Sequence, residues 1–413
     1  MSGSVLFYVQ HLLGIGHVQR AFRLADAVAR EGIAVTLVSG GEPPPGGICM
    51  QSARIVQLAP IRASDASFKE LVGPGGQPID EKLRAVRRGV LLAAFEAARP
   101  DVVVIEAFPF GRRAFRFELE PLIEAARLRR PRPRVVCSVR DIVVVPKDRK
   151  RRREIIDRVR ADFDFVFVHG DPSFIPLEAS FSTTSEIADR LIYTGYISET
   201  GPIGGGDETA GVDEVLVSVG GGAVGATLLS TALEARRHGC LAGLTWRLLT
   251  GPNLPQQAFG ILAGALPEGV VLERYRLEFP QMLRRCRVSV SQAGYNTVLD
   301  ILAARAPAVV VPFASERETE QQLRAERLAT RGVIELVPET DLTPVRLARS
   351  IERAIKRGPR VISVDTGGAH CSARLIANLI RDPTSVTARA GLMHRSEIGA
   401  PLLSAGGNLR PDC

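Results

Sequence analysis

The chain has 413 residues, of which 45% are hydrophobic and 24% charged, and a formal net charge of +8. This length is enough for two domains, each with its own apolar core. No stretch approaches the roughly 20 apolar residues of a membrane-spanning helix. The N-terminus lacks the basic segment of a signal peptide, and none of the 6 cysteines forms a CxxC pair. We therefore expect a cytoplasmic protein with reduced thiols and no zinc.

The first half of the chain alternates short apolar runs with helical patterns. The apolar runs predict strands, and the segments between them predict helices. The predicted strands are 5–9, 34–38, 102–105, 134–138, 165–169 and 191–193, and the predicted helices are 18–30, 81–98, 112–129 and 150–162. Strands that are apolar throughout and separated by helices are typical of a parallel sheet covered on both faces.

Residues 201–211 are rich in glycine and have the composition of a linker. The alternation then resumes, with strands predicted at 214–219, 245–250, 270–273, 288–291, 308–311 and 333–336, and helices at 223–238, 256–263, 295–304, 316–330, 344–356 and 368–380. Residues 384–413 have no periodic apolar pattern and predict a mobile tail. The sequence therefore predicts two Rossmann-like α/β domains, residues 1–200 and 212–383, facing each other across a cleft.

A glycine turn follows the first predicted strand, in the segment Gly14-Ile-Gly16-His17. The glycines permit a tight turn, and His17 has the ordinary pKa of a general base. Gln19 replaces the third small residue of a dinucleotide-binding fingerprint, which argues against a nicotinamide cofactor. Taken alone, the motif favours a simple turn; a histidine there can also act as a base on an acceptor hydroxyl.

Two glycine-containing turns of the second domain predict phosphate binding. The first is Gly220-Gly221-Gly222, whose consecutive N–H groups can face phosphate oxygens, although a flexible helix entry explains it as well. The second follows the strand 288–291, where a small-residue turn leads into the helix from 295. Asp300 lies two turns into that helix and can reach a ribose hydroxyl pair. We expect a nucleotide-diphosphate site here.

Other polar and basic groups have less specific patterns. Arg140 and Asp141 end a predicted strand at the sheet edge where ligands bind, but a structural ion pair explains them equally well. The basic segments 127–134 and 147–153 can contact anionic lipid, a phosphorylated acceptor or only solvent. No aromatic platform or helix-turn-helix accompanies them, so nucleic acid is not an expected partner.

The chain resembles the MurG-like glycosyltransferases of family 28, and within them a bacterial subgroup of predicted glycosyltransferases. The motifs that carry this resemblance are Gly14-Ile-Gly16-His17-Val, Tyr193-Thr194-Gly195-Tyr196, Gly220-Gly221-Gly222, Ala293-Gly294-Tyr-Asn-Thr297-Val-Leu-Asp300 and Gln321-Gln322. The resemblance implies the two-domain GT-B fold. It also implies transfer of a sugar from a nucleotide donor, usually a UDP-sugar, to an acceptor hydroxyl with inversion at the anomeric carbon.

The resemblance also implies roles for individual residues. The donor-binding set is Gly220, Gly221, Gly222, Tyr275, Arg276, Gly294, Asn296, Thr297, Asp300, Gln321 and Gln322. Within it, Gly294 and Thr297 hold the diphosphate, and Asp300, where Glu is more usual, holds the ribose. Gln321 and Gln322 face the sugar hydroxyls.

The stretch flanking the nucleotide base matches Tyr275 and Arg276, and Arg276 replaces an apolar residue of the family. His17 is the catalytic base or a phosphate contact. The acceptor-side residues are Gly14, Gly16, Arg140 and Asp141. No metal or cofactor is implied, since the nucleotide-sugar is itself a substrate.

Two alternatives share this fold. A UDP-sugar 2-epimerase uses the same donor site but needs acid and base carboxylates in the cleft and no acceptor. A non-catalytic nucleotide-sugar-binding protein would bind the donor and transfer nothing. MurG itself is a peripheral membrane enzyme with a lipid-linked acceptor, and the basic segment 147–153 is compatible with an anionic membrane surface at the inner membrane face. A lipid- or polysaccharide-linked acceptor is compatible with the resemblance.

Overall fold

The computed structural model describes residues 3–12, 16–43, 52–64, 70–144, 148–198, 207–221, 225–238, 241–264, 266–313 and 319–382. Its two large sheets are parallel, and helices cover both faces of each. The predicted fold class, an α/β protein with two Rossmann-like domains, is confirmed. The predicted tail at 384–413 and most of the predicted linker lie outside the described residues.

The first domain is built on a sheet whose strands are nearly all buried. Its strands are β1 (Ser4–Val9), β2 (Ala34–Ser39), β3 (Ala53–Gln57), the short antiparallel pair β4 (Arg62–Ala63) and β5 (Leu71–Val72), β6 (Val102–Glu106), β7 (Arg134–Arg140), β8 (Phe165–His169) and β9 (Leu191–Tyr193). Its helices are α1 (Gly16–Arg30), α2 (Glu81–Ala98), α3 (Arg116–Leu128) and α4 (Arg149–Asp162). Short 3-10 helices lie at Pro74–Gly76, Arg113–Phe115, Leu177–Ala179 and Thr184–Arg190.

The strand order of the first sheet is β3-β2-β1-β6-β7-β8-β9. Each strand predicted here is present, because its apolar side chains are buried on both faces. β3 was not predicted; it lies at the sheet edge, where none of its side chains is fully buried. The order reverses between β1 and β6, which opens a crevice at their carboxyl ends.

The second domain repeats this plan with six strands. They are β10 (Val215–Ser218), β11 (Trp246–Leu249), β12 (Val270–Glu273), β13 (Val288–Ser291), β14 (Ala308–Val310) and β15 (Glu335–Leu336), in the order β12-β11-β10-β13-β14-β15. The helices are α5 (Ala226–Ala235), α6 (Gln256–Ala263), α7 (Phe279–Arg285), α8 (Tyr295–Ala304), α9 (Glu320–Thr330), α10 (Pro344–Arg357) and α11 (Gly368–Arg381), and a 3-10 helix lies at Glu339–Asp341. The order reverses between β10 and β13, so the second crevice opens there.

The last helix, α11, returns to the first domain. Its Ala373 and Ile376 pack with Val18 and Leu24 of α1 in the apolar core on one face of the first sheet. The sequence places this helix in the domain 212–383, whereas its apolar face is buried against the other domain. The chain therefore crosses between the domains twice.

The two segments in which the chain crosses between the domains, one at Gly195 and Tyr196 and the other at Gly368, lie side by side. Gly368 donates its N–H to the Tyr196 carbonyl at 3.0 Å. A Cβ on Gly368 would lie 2.2 Å from the Gly195 carbonyl oxygen, so the approach requires glycine. None of the described helices has the length and hydropathy needed to span a bilayer.

Candidate active site

The carboxyl ends of the two sheets face each other. A Cβ on Gly16, at the start of α1, would lie 3.3 Å from Nδ2 of Asn296 in the first turn of α8. The Tyr295 hydroxyl donates to the carbonyl of His169, at the end of β8, at 3.0 Å. The first turns of α1 and α8 are therefore neighbours across the domain junction. Gly14 lies outside the described residues.

His17 is held by a carboxylate at the end of β6. Its Nδ1 lies 2.6 Å from Oε1 of Glu106, and the same oxygen accepts from Arg20. Glu106 is 3% exposed and its Oε2 has no hydrogen-bond partner among the described residues, whereas 21% of the His17 side chain is exposed. With Nδ1–H donating to Glu106, the Nε2 lone pair of His17 is left for another proton.

Burial lowers the pKa of His17 to about 3, and the Arg140 and Arg112 charges act in the same direction against the attraction of Glu106. Although a carboxylate would ordinarily hold a histidine in its charged form, here desolvation and two arginines outweigh it. The pKa of Glu106 falls to about 2: burial raises it, but His17 and Arg20 together lower it more. His17 is therefore neutral at pH 7 and keeps a lone pair on Nε2, but so low a pKa makes it a weaker base than an ordinary imidazole.

Acid should destabilise the protein through its two buried histidines. Burial also lowers the pKa of His169 to about 3. In the unfolded chain each imidazole has an ordinary pKa of about 6.5 and is protonated below that pH. In the folded chain the same two imidazoles stay neutral until the pH approaches 3, so acid favours the unfolded state. The stability these groups contribute is therefore complete above pH 6.5 and is lost as the pH falls from there.

The measurement is the free energy of unfolding between pH 7 and pH 5. Replacing His169 by glutamine should flatten its pH dependence by up to about 1.4 kcal/mol per pH unit, the value of one proton. Glu106 does not contribute in this range because its carboxyl is ionised in both states. An unchanged slope in the variant would contradict the assignment of neutral histidines.

The first turn of α8 begins without a side-chain cap. Gly294 is its N-cap, with extended backbone (φ −61°, ψ 147°) and no side-chain cap hydrogen bond. The leading N–H groups of a helix have no partner within the helix, and its N-terminal end is positive. The buried Oδ1 of Asn296 has no hydrogen-bond partner among the described residues; as an acceptor, it suits a ligand hydroxyl rather than a phosphate oxygen. Gly294, Asn296 and Thr297 lie at the start of α8 and Asp300 lies further along the same helix, and their contacts with the donor stay predictions.

The second glycine turn follows β10, the strand next to β13. Gly220 has φ +60°, a left-handed conformation, and its N–H lies 3.4 Å from the Ser218 hydroxyl oxygen. Gly225 ends the turn with φ +119°, and a Cβ there would lie 2.6 Å from Val219. Gly221 is half-buried and Gly222 lies outside the described residues. The described part of this turn lies beside the α8 turn, at the crevice of the second sheet.

The stretch predicted to flank the nucleotide base follows β12. The Arg276 guanidinium donates to Glu273 at 2.6 and 2.9 Å and to Glu278 at 2.8 Å. These hydrogen bonds raise the pKa of Arg276. The Tyr275 side chain is 51% exposed. Arg276 therefore stiffens the turn, and the contacts of Tyr275 and Arg276 with a nucleotide base stay predictions.

The two glutamines of α9 have different surroundings. Gln321 Oε1 accepts the N–H groups of Ala293 at 3.0 Å and Phe313 at 3.1 Å, which ties the ends of β13 and β14 together. Gln322 donates to Glu326 at 2.6 Å and lines a cavity of about 290 Å³ beside Val143. The structure thus brings Gln321 to the turn before α8, while Gln322 faces the cavity. Their predicted contacts with sugar hydroxyls remain predictions.

Arg140 and Asp141 join the domains. Arg140 pairs with Glu320 at 2.6 Å, and Asp141 accepts from Arg324 at 2.9 and 3.2 Å and from the Tyr196 hydroxyl at 3.1 Å. Asp141 is 0% and Arg324 1% exposed. The alternative of a structural role therefore fits Asp141 better than an acceptor-side role, because its carboxylate is buried between the domains.

The sequence patterns did not predict roles for Glu106, Arg20, Tyr295 and Arg324. One signal was present for Glu106: it follows four apolar residues of a predicted strand, so its carboxylate had to lie at the same sheet edge as His17. The other three lie in helices whose periodicity marks only which face is apolar, not which residue reaches across to another domain.

The basic segment 147–153 forms the start of α4, apart from its first residue, which lies outside the described residues. Arg151 pairs with Glu154 at 2.7 Å, and Arg153 with Asp157 at 2.9 Å. Part of its positive charge is therefore neutralised by the helix itself.

Comparison with known proteins agrees with this geometry. Residues 216–378 match the glycosyltransferase family 28 C-terminal domain. An uncharacterized glycosyltransferase of Methanopyrus kandleri is 27% identical over 168 residues, which are 40% of this chain and 45% of the relative. The UDP-N-acetylglucosamine--N-acetylmuramyl-(pentapeptide) pyrophosphoryl-undecaprenol N-acetylglucosamine transferase of Thermotoga neapolitana is 25% identical over 190 residues, 45% of this chain and 51% of the relative. The alignments thus span about half the length of these relatives.

The likeness in fold extends further than the likeness in sequence. The crystal structure of Acinetobacter baumannii MurG matches with a TM-score of 0.52 and 15% identity, covering 95% of this chain and 99% of that one. The chain therefore has the GT-B fold, and residues 216–378 of its second domain match the C-terminal domain of glycosyltransferase family 28.

Proposed function

We propose that this protein is an inverting glycosyltransferase that moves a sugar from a nucleotide-diphosphate sugar to an acceptor hydroxyl. The observation that carries the proposal is the pairing of His17 with Glu106 at 2.6 Å beside the uncapped first turn of α8. One domain thus offers a neutral base, and the other a positive helix end with free N–H groups. A transferase needs both of these groups on opposite sides of one cleft.

In the proposed reaction, Nε2 of His17 accepts the proton of the acceptor hydroxyl as its oxygen attacks the anomeric carbon. The bond from that carbon to the nucleoside diphosphate breaks on the opposite side, which inverts the configuration. Negative charge grows on the leaving diphosphate, where the N–H groups after Gly294 stabilise it. Glu106 keeps the imidazole oriented and compensates the positive charge that it gains.

The surroundings of Glu106 argue against the epimerase alternative. Such an isomerase needs carboxyl groups that exchange protons with the sugar. The Glu106 carboxylate is instead paired with His17 and Arg20, which hold its pKa near 2. A carboxylate this acidic is a poor general acid at neutral pH. Release of free sugar isomers without any acceptor would favour the epimerase instead.

The finer features of the proposal are the donor base and the location. UDP is the first choice, because the Thermotoga neapolitana relative is named for a UDP-sugar donor. A peripheral position on the inner membrane face is supported by Arg149, Lys150 and Arg152, which project from the start of α4 without an ion pair among the described residues. The protein would then be cytoplasmic, and its acceptor lipid- or polysaccharide-linked.

A thermal-shift screen with UDP-, dTDP-, GDP- and ADP-sugars tests the proposal. A ligand present at 100 times its dissociation constant should stabilise the folded protein by about 2.7 kcal/mol, which gives a clear rise in Tm. We expect UDP-sugars to give the largest rise. No change in Tm with any of the four classes would contradict the proposal.

A further inference from the structure

Tyr295 is the first residue of α8, and its side chain reaches the first domain. It is 5% exposed although it begins a helix whose end faces the cleft. Its hydroxyl donates to the His169 carbonyl at 3.0 Å and accepts the Ile197 N–H at 3.2 Å. Both of its hydrogen bonds therefore fix α8 to backbone that lies outside the second domain.

The Tyr295 ring joins two buried arginines. The Cζ atom of Arg20 lies 5.6 Å from the ring centroid and that of Arg324 lies 5.7 Å away, both within cation–π range. Arg20 also bonds Glu106, which holds His17. A short series of contacts thus runs from the donor helix to the base.

We propose that Tyr295 is a positioning residue that sets the first turn of α8 in register with the first turn of α1. The inference rests on the proposed function, because it links the diphosphate site to the base. Reacting groups lose rate steeply when they are misplaced by about 1 Å, and here they belong to different domains. The Tyr295 hydroxyl fixes the distance between the first turns of α8 and α1, and the Tyr295 ring holds the guanidinium groups of Arg20 and Arg324 in place.

The competing explanation is that Tyr295 only packs the interface. Tyr196 provides a matched control, since it is 1% exposed, its ring lies 5.6 Å from that of Tyr295, and its hydroxyl bonds Asp141 at 3.1 Å. It lies in neither α1 nor α8. Tyr295→Phe and Tyr196→Phe each remove one buried hydroxyl and keep the aromatic ring, so a pure packing effect should be similar in both.

Hydrogen exchange of the full-length protein, without ligand and with saturating UDP, separates the two explanations. Without ligand, we expect Tyr295→Phe to speed exchange of the hydrogen-bonded amides in the N-terminal halves of α8 and α1 together by at least threefold, and Tyr196→Phe to leave both unchanged. With UDP, the wild type should be protected in both helix halves. Tyr295→Phe should keep the protection of α8 and lose that of α1.

A second readout is the hydrolysis of UDP-N-acetylglucosamine by the same proteins. We expect kcat of Tyr295→Phe to fall at least tenfold with little change in KM, and that of Tyr196→Phe to stay within twofold. Equal effects of the two substitutions, or unchanged exchange in α1 of Tyr295→Phe, would overturn the positioning role. Absence of UDP protection in the wild type would instead count against the proposed donor site, while the ligand-free comparison would still decide the role of Tyr295.

Discussion

Replacing His17 by alanine should lower the turnover of glycosyl transfer by about 10²- to 10⁴-fold, the usual contribution of a positioned general base. The affinity for the nucleotide-sugar should stay nearly constant, because the N–H groups that face the diphosphate belong to α8 in the other domain. Steady-state kinetics and calorimetry with the donor measure the two quantities separately. The same substitution removes a side chain that is held by Glu106.

Two outcomes would contradict the role of His17. Unchanged turnover would remove it as the base, and a large loss of donor affinity with normal turnover at saturation would make it a phosphate contact. Glu106→Gln provides a comparison, since it keeps the size of the side chain but removes the charge that orients and compensates the imidazole. We expect its turnover to lie between those of the wild type and His17→Ala.

Replacing Arg324 by methionine should destabilise the folded protein by about 3–5 kcal/mol, the cost of leaving one partner of a buried ion pair uncompensated. Asp141 is fully buried and, among the described residues, would keep only the Tyr196 hydroxyl and the Ile142 N–H as donors. Glu320 would keep Arg140. Urea unfolding of the wild type and the variant measures the difference.

A double variant tests the reason for this loss. Arg324→Met with Asp141→Leu removes both charges, so we expect it to be more stable than Arg324→Met alone, as buried pairs replaced together by apolar groups usually are. Exposed pairs such as Arg30–Asp26, whose side chains are 78% and 39% exposed, should contribute at most about 1 kcal/mol. A loss below this value for Arg324→Met would show that the interdomain pair is not a major contact.

Local patterns in the sequence predicted most of the fold. The strand 288–291 and the helix 295–304 were predicted with the observed bounds, because an apolar run, a small-residue turn and a periodic helix follow one another directly. α7 was missed since it has only seven residues and a proline in its first turn. Its apolar pattern is too short to show a period.

Contacts between distant residues set the limit of prediction for the site. His17 and Glu106 are 89 positions apart, and Asp141 and Arg324 are 183 apart. No local spacing predicts such pairs; only the strand order brings their ends together. The residue pattern and the family resemblance both predicted a donor site at the α8 turn, but neither predicted the residues that fix this turn to the first domain.

Gln321 illustrates a different limit. Its type and position resemble a sugar-binding residue, yet its Oε1 accepts two backbone N–H groups that the ends of β13 and β14 leave unpaired. The same side chain type can serve either purpose. Only the position of the neighbouring backbone shows which polar atoms of the glutamine side chain already have a hydrogen-bond partner within the protein.

A crystal structure of the protein with UDP tests the central claim most directly. We expect the diphosphate at the start of α8, with phosphate oxygens about 3 Å from the N–H groups of Asn296 and Thr297, and His17 facing it across the cleft. A diphosphate bound elsewhere, or an α8 turn without ligand in a crystal grown with saturating UDP, would contradict it.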